Sequence, residues 1–164
     1  MAFTDALLPE FDHEMGTTRK LLERLPDEQL GWKPHERSMS LGRLATHIAE
    51  IPTWGDRILC HDEVNLTGAY QPRTEQSRAA ILAIFENAIA QARKTLASKS
   101  DGELMAMWTF KREGKTLFTM PKVAVLRSMM FNHLVHHRGQ LSVYLRMHNV
   151  PLPAMYGPSA DEGA

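Results

Sequence analysis

Apolar residues recur at three- and four-residue steps in four long segments of the chain, which cover approximately residues 5–25, 38–51, 74–96 and 121–149. This spacing places the apolar side chains on one face of an α-helix, whereas a half-buried strand would alternate every second residue. We therefore predict four amphipathic helices, each burying one stripe of side chains against the others.

The ends of these segments contain ordinary helix-boundary residues. Ser38 or Ser40 is suited to cap the second helix, and Thr74 the third, because their hydroxyl oxygens can accept backbone N–H groups of the first turn. Pro121 is suited to begin the fourth helix. Pro52 removes a backbone donor, so it either ends the second helix or forces a kink and a restart there.

The link before the fourth helix differs in character from the helical segments. Its sequence, MWTFKREGKTLFTM, has aromatic and apolar residues on both sides of a turn-like REGK and fits a short hairpin or an irregular crossover. Residues 152–164 are rich in proline and glycine, which predicts a surface coil. The predicted fold is an all-α, four-helix bundle with a longer crossover or short hairpin before the last helix, in a single domain over residues 1–164.

Composition restricts the classes of partner. The 164 residues include 19 Lys and Arg and 19 Asp and Glu, so the formal net charge is zero, and the basic residues are not clustered as nucleic-acid binding normally requires. Cys60 is the single cysteine, which excludes an internal disulfide. There is no signal-peptide pattern and no apolar run of about 18 residues, so we expect a cytoplasmic protein without a membrane partner.

The segment NHLVHHRGQL places histidines where a buried helix face should carry leucines. His133 and His137 are four residues apart and share a face, with Cβ atoms about 5–6 Å apart, whereas His136 points about a quarter-turn away. In LATHIAEI, His47 also faces inward. Three neutral imidazoles would leave coordination positions open, which is typical of catalytic metal sites. The alternative is that these histidines are core residues hydrogen-bonded to carbonyl groups.

The sequence resembles the DinB-like (damage-inducible) superfamily, which also contains bacillithiol- and mycothiol-dependent S-transferases. The resemblance lies in LATHIAEIPTW, NHLVHHRGQLSVYLRMHNVPLP and YGPSADE, and its most specific part is the run His-x-x-x-His-Arg-Gly-Gln. It implies a helical bundle, a homodimer and a divalent metal held by His47, His133 and His137. The implied ion is zinc or nickel, with iron, cobalt or manganese as alternatives.

Further residues near these histidines are candidates for a pocket or for supporting contacts. Arg138 and Gln140 follow the histidine pair, and Trp54 lies close to His47 in sequence. Arg138 would bind an anionic group or form a structural ion pair. Three residues of the first helix are candidate acceptors for an imidazole N–H: Asp12, His13 and Glu14.

The function expected from this resemblance is that of a metal-dependent enzyme acting on a small molecule. An open metal position would activate a thiol, as an S-transferase does, or a water, as a hydrolase does. No catalytic side chain is assigned by the sequence. The alternatives are a non-catalytic stress-response protein that binds a metal or small ligand, and an interaction bundle in which the histidines only fill the core.

Overall fold

The computed structural model describes residues 2–69 and 71–163, and helices dominate it. The α-helices are α1 (Phe3–Leu22), α2 (Leu41–Glu50), α3 (Trp54–Leu59), α4 (Arg78–Ala97), α5 (Asp101–Met105), α6 (Lys122–Leu126) and α7 (His133–Met147). The strands are β1 (Glu63–Leu66), β2 (Met107–Arg112) and β3 (Lys115–Pro121). Short 3₁₀ turns occupy Asp27–Gln29 and Ile51–Thr53, and a π-helical segment, Arg127–Asn132, joins α6 to α7.

The helix boundaries follow local capping chemistry. The Ser40 hydroxyl accepts the Arg43 N–H at 3.2 Å at the start of α2. The third long helix begins at Arg78 rather than near Thr74, because Ser77 is the residue that caps it, accepting the Ala80 N–H at 3.2 Å. Beyond α7, Asn149 adopts a left-handed conformation with φ of 56°, which ends the helix.

At Pro52 the helix restarts instead of stopping. The Ile51–Thr53 turn separates α2 from α3, so that the two helices follow each other with only a short irregularity between them. Gly55, in the first turn of α3, lies so close to α4 that a Cβ added there would stand 3.0 Å from the Ala92 Cβ. The restart therefore holds α3 tightly against α4.

The core lies between the long helices. Helix α1 packs against α4 and α7, and α2 packs against α4 and α7. Phe11 and Phe131 meet edge to face, with ring centroids 6.4 Å apart. Burying one leucine or phenylalanine side chain contributes about 1.5–3 kcal/mol. None of the described helices is long and apolar enough to cross a membrane.

The prediction of an all-α fold is wrong, because the chain also forms a three-stranded mixed sheet in the order β1-β2-β3. Strand β2 pairs antiparallel with β3, and β1 pairs parallel with β2. The four residues of β1, EVNL, are exposed or half-buried and carry no alternating pattern. Their pairing depends on β2, which lies far along the chain, so no local signal predicted it.

The REGK segment forms the turn of the β2–β3 hairpin. Glu113 and Gly114 both have positive φ, 49° and 76°, as the mirror-image turns of two-residue hairpins require. The aromatic residues of the hairpin share one face, with the Phe110 ring 5.9 Å from Trp108 and 5.5 Å from Phe118. Phe110 also lies 6.1 Å from Trp54, which brings the sheet against α3.

Residues 151–163 form no helix or strand, but they are bound firmly to the helices. Arg24 pairs with Glu162 at 2.7 Å, and Arg146 forms an ion pair with Asp161. The Asp161 carboxylate also accepts the Leu152 N–H at 2.9 Å. This predicted coil is therefore an ordered layer over the end of α7.

Candidate metal centre

The contact between α2 and α7 brings three histidines together. The Nε2 atom of His133 lies 3.3 Å from Nε2 of His47 and 2.8 Å from Nε2 of His137. One ligand atom from each ring can be chosen so that all three lie within 4.8 Å of one another. His137 is buried, with 8% of its surface exposed, whereas the other two are half-buried. The pair of histidines predicted on one helix, His133 and His137, is thus joined by His47 of a second helix.

A change in backbone geometry stands directly before the histidine pair. The π-helical segment ends at Asn132, and the backbone N–H of His133 donates to the Met130 carbonyl. The ring of His133 hydrogen-bonds to the backbone of Met129, one helical turn earlier. Because a π-helical turn widens the helix by one residue, it rotates the side chains that follow it, and such turns are frequent at functional sites.

The hydrogen bonds on the far side of two rings determine which nitrogens carry protons. Nδ1 of His137 lies 2.7 Å from Oε1 of Gln140, so Nδ1 is the donor. His133 spends its other ring N–H on the Met129 carbonyl. With this assignment, the Nε2 atoms of His133 and His137 both carry lone pairs, which are the groups that would bind a metal ion.

All three imidazoles are held in the neutral form, which is the form that binds metals. Burial lowers the pKa of His47 from 6.5 to about 4, with further lowering by the nearby His137, His133 and Arg43 charges. Burial also lowers the pKa of His133 and of His137. The site therefore presents three unprotonated nitrogen ligands at neutral pH.

The spacing of the ligand atoms suits a small divalent ion. Nitrogen donors about 2.0–2.1 Å from a tetrahedral metal lie about 3.3 Å from each other. The distance between His47 and His133 already has this value, and the 2.8 Å between His133 and His137 needs only a small widening. His47, His133 and His137 therefore fit a divalent metal.

The histidines form part of the wall of a cavity of about 780 Å³. Trp54, the predicted pocket residue, lines this cavity. The cavity is also lined by four charged residues that the sequence did not single out: Arg43, Glu50, Arg57 and Arg73. Their spacing contained a signal, because Arg43 lies four residues before His47 and Glu50 three after it, on the same helix face.

Arg138 lies on the other side of α7, away from the cavity. Its guanidinium is 1% exposed and donates to the Glu14 carboxylate at 2.6 Å, to the Glu14 carbonyl at 3.0 Å and to Thr18 at 3.1 Å. The Tyr156 hydroxyl also contacts it at 2.5 Å and donates to Glu14. We call Glu14, Arg138 and Tyr156 the arginine cluster; it ties α1, α7 and the C-terminal segment together.

The three residues of α1 proposed as histidine acceptors have other surroundings. Asp12 forms a bidentate pair with Arg93, at 2.7 and 2.8 Å. His13 is exposed, and Glu14 belongs to the arginine cluster. The acceptors found instead are Gln140 and the Met129 backbone.

Known proteins share this fold. A curated relative, the uncharacterized protein YrdA of Bacillus subtilis (strain 168), is 29% identical over 161 residues, which cover 98% of this chain and 92% of YrdA. The crystal structure of a DinB-like protein from Bacillus cereus ATCC 10987 matches with a TM-score of 0.72 and 22% identity, over 94% of this chain and 98% of that one.

A second crystal structure, of the DinB-like protein YjoA from Bacillus subtilis, matches with a TM-score of 0.70 and 21% identity, over 92% of this chain and 97% of that one. At these identities the two structures establish the shared fold. The sequence profile described as "DinB family" matches residues 1–164. The chain belongs to the DinB family.

Proposed function

We propose that His47, His133 and His137 bind one divalent metal ion, and that the protein is a metal-dependent enzyme acting on a small molecule in the adjoining cavity. The observation that carries this proposal is the convergence of three Nε2 atoms at a cavity wall. Three protein ligands leave coordination positions for a substrate, whereas structural sites are usually closed by four. Zinc and nickel are the metals to test first, because imidazole suits both.

When bound, the metal would lower the pKa of a coordinated thiol or water and so create a nucleophile. The chain's own residues prepare for this in distinct ways. Burial keeps the imidazoles neutral, and Gln140 fixes the orientation of the His137 ring through Nδ1. Trp54 supplies an apolar face to the wall of the cavity.

Transfer of a low-molecular-weight thiol to an electrophile is the first reaction we propose. Neutral ligands leave the full charge of the metal to stabilise a thiolate, and the DinB-like superfamily that the His-x-x-x-His-Arg-Gly-Gln run resembles also contains thiol S-transferases. Hydrolysis is the second, and Glu50 is the observation that favours it. Its carboxylate lines the same cavity and is the group we propose to accept a proton from water.

Metal content tests the first half of this proposal. Protein purified without a polyhistidine tag should carry close to one zinc or nickel per chain by elemental analysis, or take it up on addition. His47→Ala, His133→Ala and His137→Ala should each lose it. His136→Ala is the matched control, because His136 neighbours the site in α7 but is exposed. A wild-type chain that takes up neither metal rejects the proposal.

Turnover tests the second half. The metal-loaded protein is incubated with cysteine, glutathione or coenzyme A and 1-chloro-2,4-dinitrobenzene, where the thiolate sulfur forms the new C–S bond and chloride leaves. Hydrolysis of p-nitrophenyl acetate is followed in parallel, with Glu50→Gln as the variant that should slow it. Stoichiometric metal without turnover in either reaction would identify a metal-binding protein instead of an enzyme.

A further inference from the structure

The cavity beside the histidines carries more positive than negative charge. Its charged lining consists of Arg43, Arg57, Arg73 and Glu50. Arg73 forms an ion pair with the Glu75 carboxylate, which offsets one of the three positive charges. Of the described charged side chains that line the cavity, three are cationic and one, Glu50, is anionic.

Two of these arginines lie close in sequence to other residues of the cavity wall. Arg43 lies one turn before His47 in α2, and both residues line the cavity. The Arg57 guanidinium stands over the Trp54 ring, 5.1 Å from the ring centroid. This cation–π contact holds the guanidinium beside an aromatic wall of the same cavity.

The rest of the lining is suited to an apolar molecular body. Trp54, Ile51, Ile84 and Met129 contribute apolar surface to the cavity. Methionine and tryptophan pack well against varied apolar shapes, because thioether chains adapt and an indole ring offers a large flat face. An anion without an organic body, such as free phosphate, would leave this surface in contact with water.

We propose that the cavity binds an organic monoanion, with the carboxylate held by Arg43 and Arg57 and the apolar body lying along Trp54. That the anion is a substrate rests on the proposed function. Binding of the anion needs only residues of the chain itself. The planar fork of a guanidinium donates two parallel N–H bonds to a carboxylate, which makes the recognition specific for that group. Glu50 disfavours ligands with a second negative charge near it.

The test compares two probes of equal shape and different charge. Binding of 3-phenylpropionate and of its neutral amide, 3-phenylpropanamide, is measured by calorimetry on zinc-loaded and on metal-free protein. The carboxylate should bind at least tenfold more tightly than the amide in both preparations. Equal affinity of the two probes, or no binding of the carboxylate, overturns the inference, and this comparison needs only the wild-type chain.

Variants then locate the anion site. Arg43→Gln and Arg57→Gln should each weaken binding of 3-phenylpropionate about tenfold while leaving the amide unchanged, which corresponds to loss of one charged hydrogen-bond partner. Arg37→Gln is the control. It removes the same positive charge from an exposed position outside the cavity lining. Carboxylate affinity that is unchanged in both variants overturns the assignment to these arginines.

Metal content measured on the same samples separates the two proposals. Carboxylate binding that depends on Arg43 in a protein that takes up no metal would remove the proposed enzyme function and leave the anion site standing. A zinc-loaded protein that binds carboxylate and amide alike would remove the anion site and leave the metal centre standing. Carboxylate selectivity found only with zinc would show that the anion binds the metal and not the arginines, which contradicts the inference.

Discussion

Two polar clusters lie on different faces of α7, and they differ in how far residues of the protein supply partners for their polar groups. His137 and Arg138 are neighbours in sequence but belong to different clusters. Arg138 is surrounded by acceptors, because Glu14, Thr18 and Tyr156 all contact it. His137 instead meets another imidazole, with its Nε2 atom 2.8 Å from Nε2 of His133.

The comparison separates a structural cluster from a binding site. In the arginine cluster positive and negative charges are matched and hydrogen-bonded, as buried charges must be. In the histidine cluster three neutral imidazoles converge, and we propose that a metal ion from solution binds them. The same helix therefore binds α1 and the C-terminal segment through one cluster and carries the candidate metal ligands in the other.

The largest effect is expected from breaking the arginine cluster. Glu14→Ala leaves the Arg138 guanidinium buried without its carboxylate, so the free energy of unfolding should fall by about 3–5 kcal/mol in urea denaturation. Asp12→Ala, two residues earlier in α1, breaks an exposed pair with Arg93 and should cost at most about 1 kcal/mol. Equal losses in the two variants would show that the arginine cluster has no special structural role.

A smaller effect is expected from completing the histidine cluster. Zinc at about one hundred times its dissociation constant should raise the free energy of unfolding by about 2.7 kcal/mol, because it binds only the folded chain. Thermal unfolding with and without zinc measures this gain. His133→Ala should abolish the gain and His136→Ala should keep it. Stabilisation that survives in His133→Ala would place the zinc elsewhere.

Removing a support of the metal ligands should have a still smaller effect. Gln140→Leu deprives the His137 Nδ1–H of its acceptor, and we expect zinc affinity to fall about tenfold, as is typical when such an outer partner is lost. Competition with a chelating dye measures the affinity. Gln91→Leu, a substitution of the same kind on α4, is the control, and equal affinities in the two variants would argue against a role for Gln140.

The most gradual effect concerns pH. Each histidine has a folded pKa below its unfolded value, so the unfolded chain binds more protons, and stability is lost as the pH falls. The loss should begin near 6.5 and continue towards about 4, the folded value of His47. Urea midpoints of metal-free protein across this range should fall less steeply in His47→Ala. An identical slope in that variant would contradict the assignment of a neutral, buried His47.

The sequence predicted the histidine centre better than it predicted the fold. Helical spacing alone brings His133 and His137 onto one face, because this depends only on the geometry of a single helix. Adding His47 needed the further assumption that α2 lies against α7, which the family resemblance supplied. Arg43 and Glu50 also lie at helical spacing from His47. An arginine on an amphipathic helix is usually exposed to solvent, so this spacing did not distinguish Arg43 as a cavity residue.

Two features had no local signal. Strand β1 is short, polar and largely exposed, and it forms only because β2 offers a free edge, so the all-α prediction failed there. The π-helical segment RSMMFN contains neither proline nor glycine, so its sequence carries no local sign of the widened turn. Single-helix periodicity predicts neither feature.

The most direct measurement is the anomalous X-ray scattering of zinc in crystals of the wild-type chain grown or soaked with the metal. The account predicts one strong peak, about 2.0–2.2 Å from the Nε2 atoms of His47, His133 and His137, with the remaining ligand positions facing the cavity. A zinc-treated crystal with no peak among these three nitrogens, and with the Nε2 atoms of His133 and His137 still about 2.8 Å apart, would contradict it.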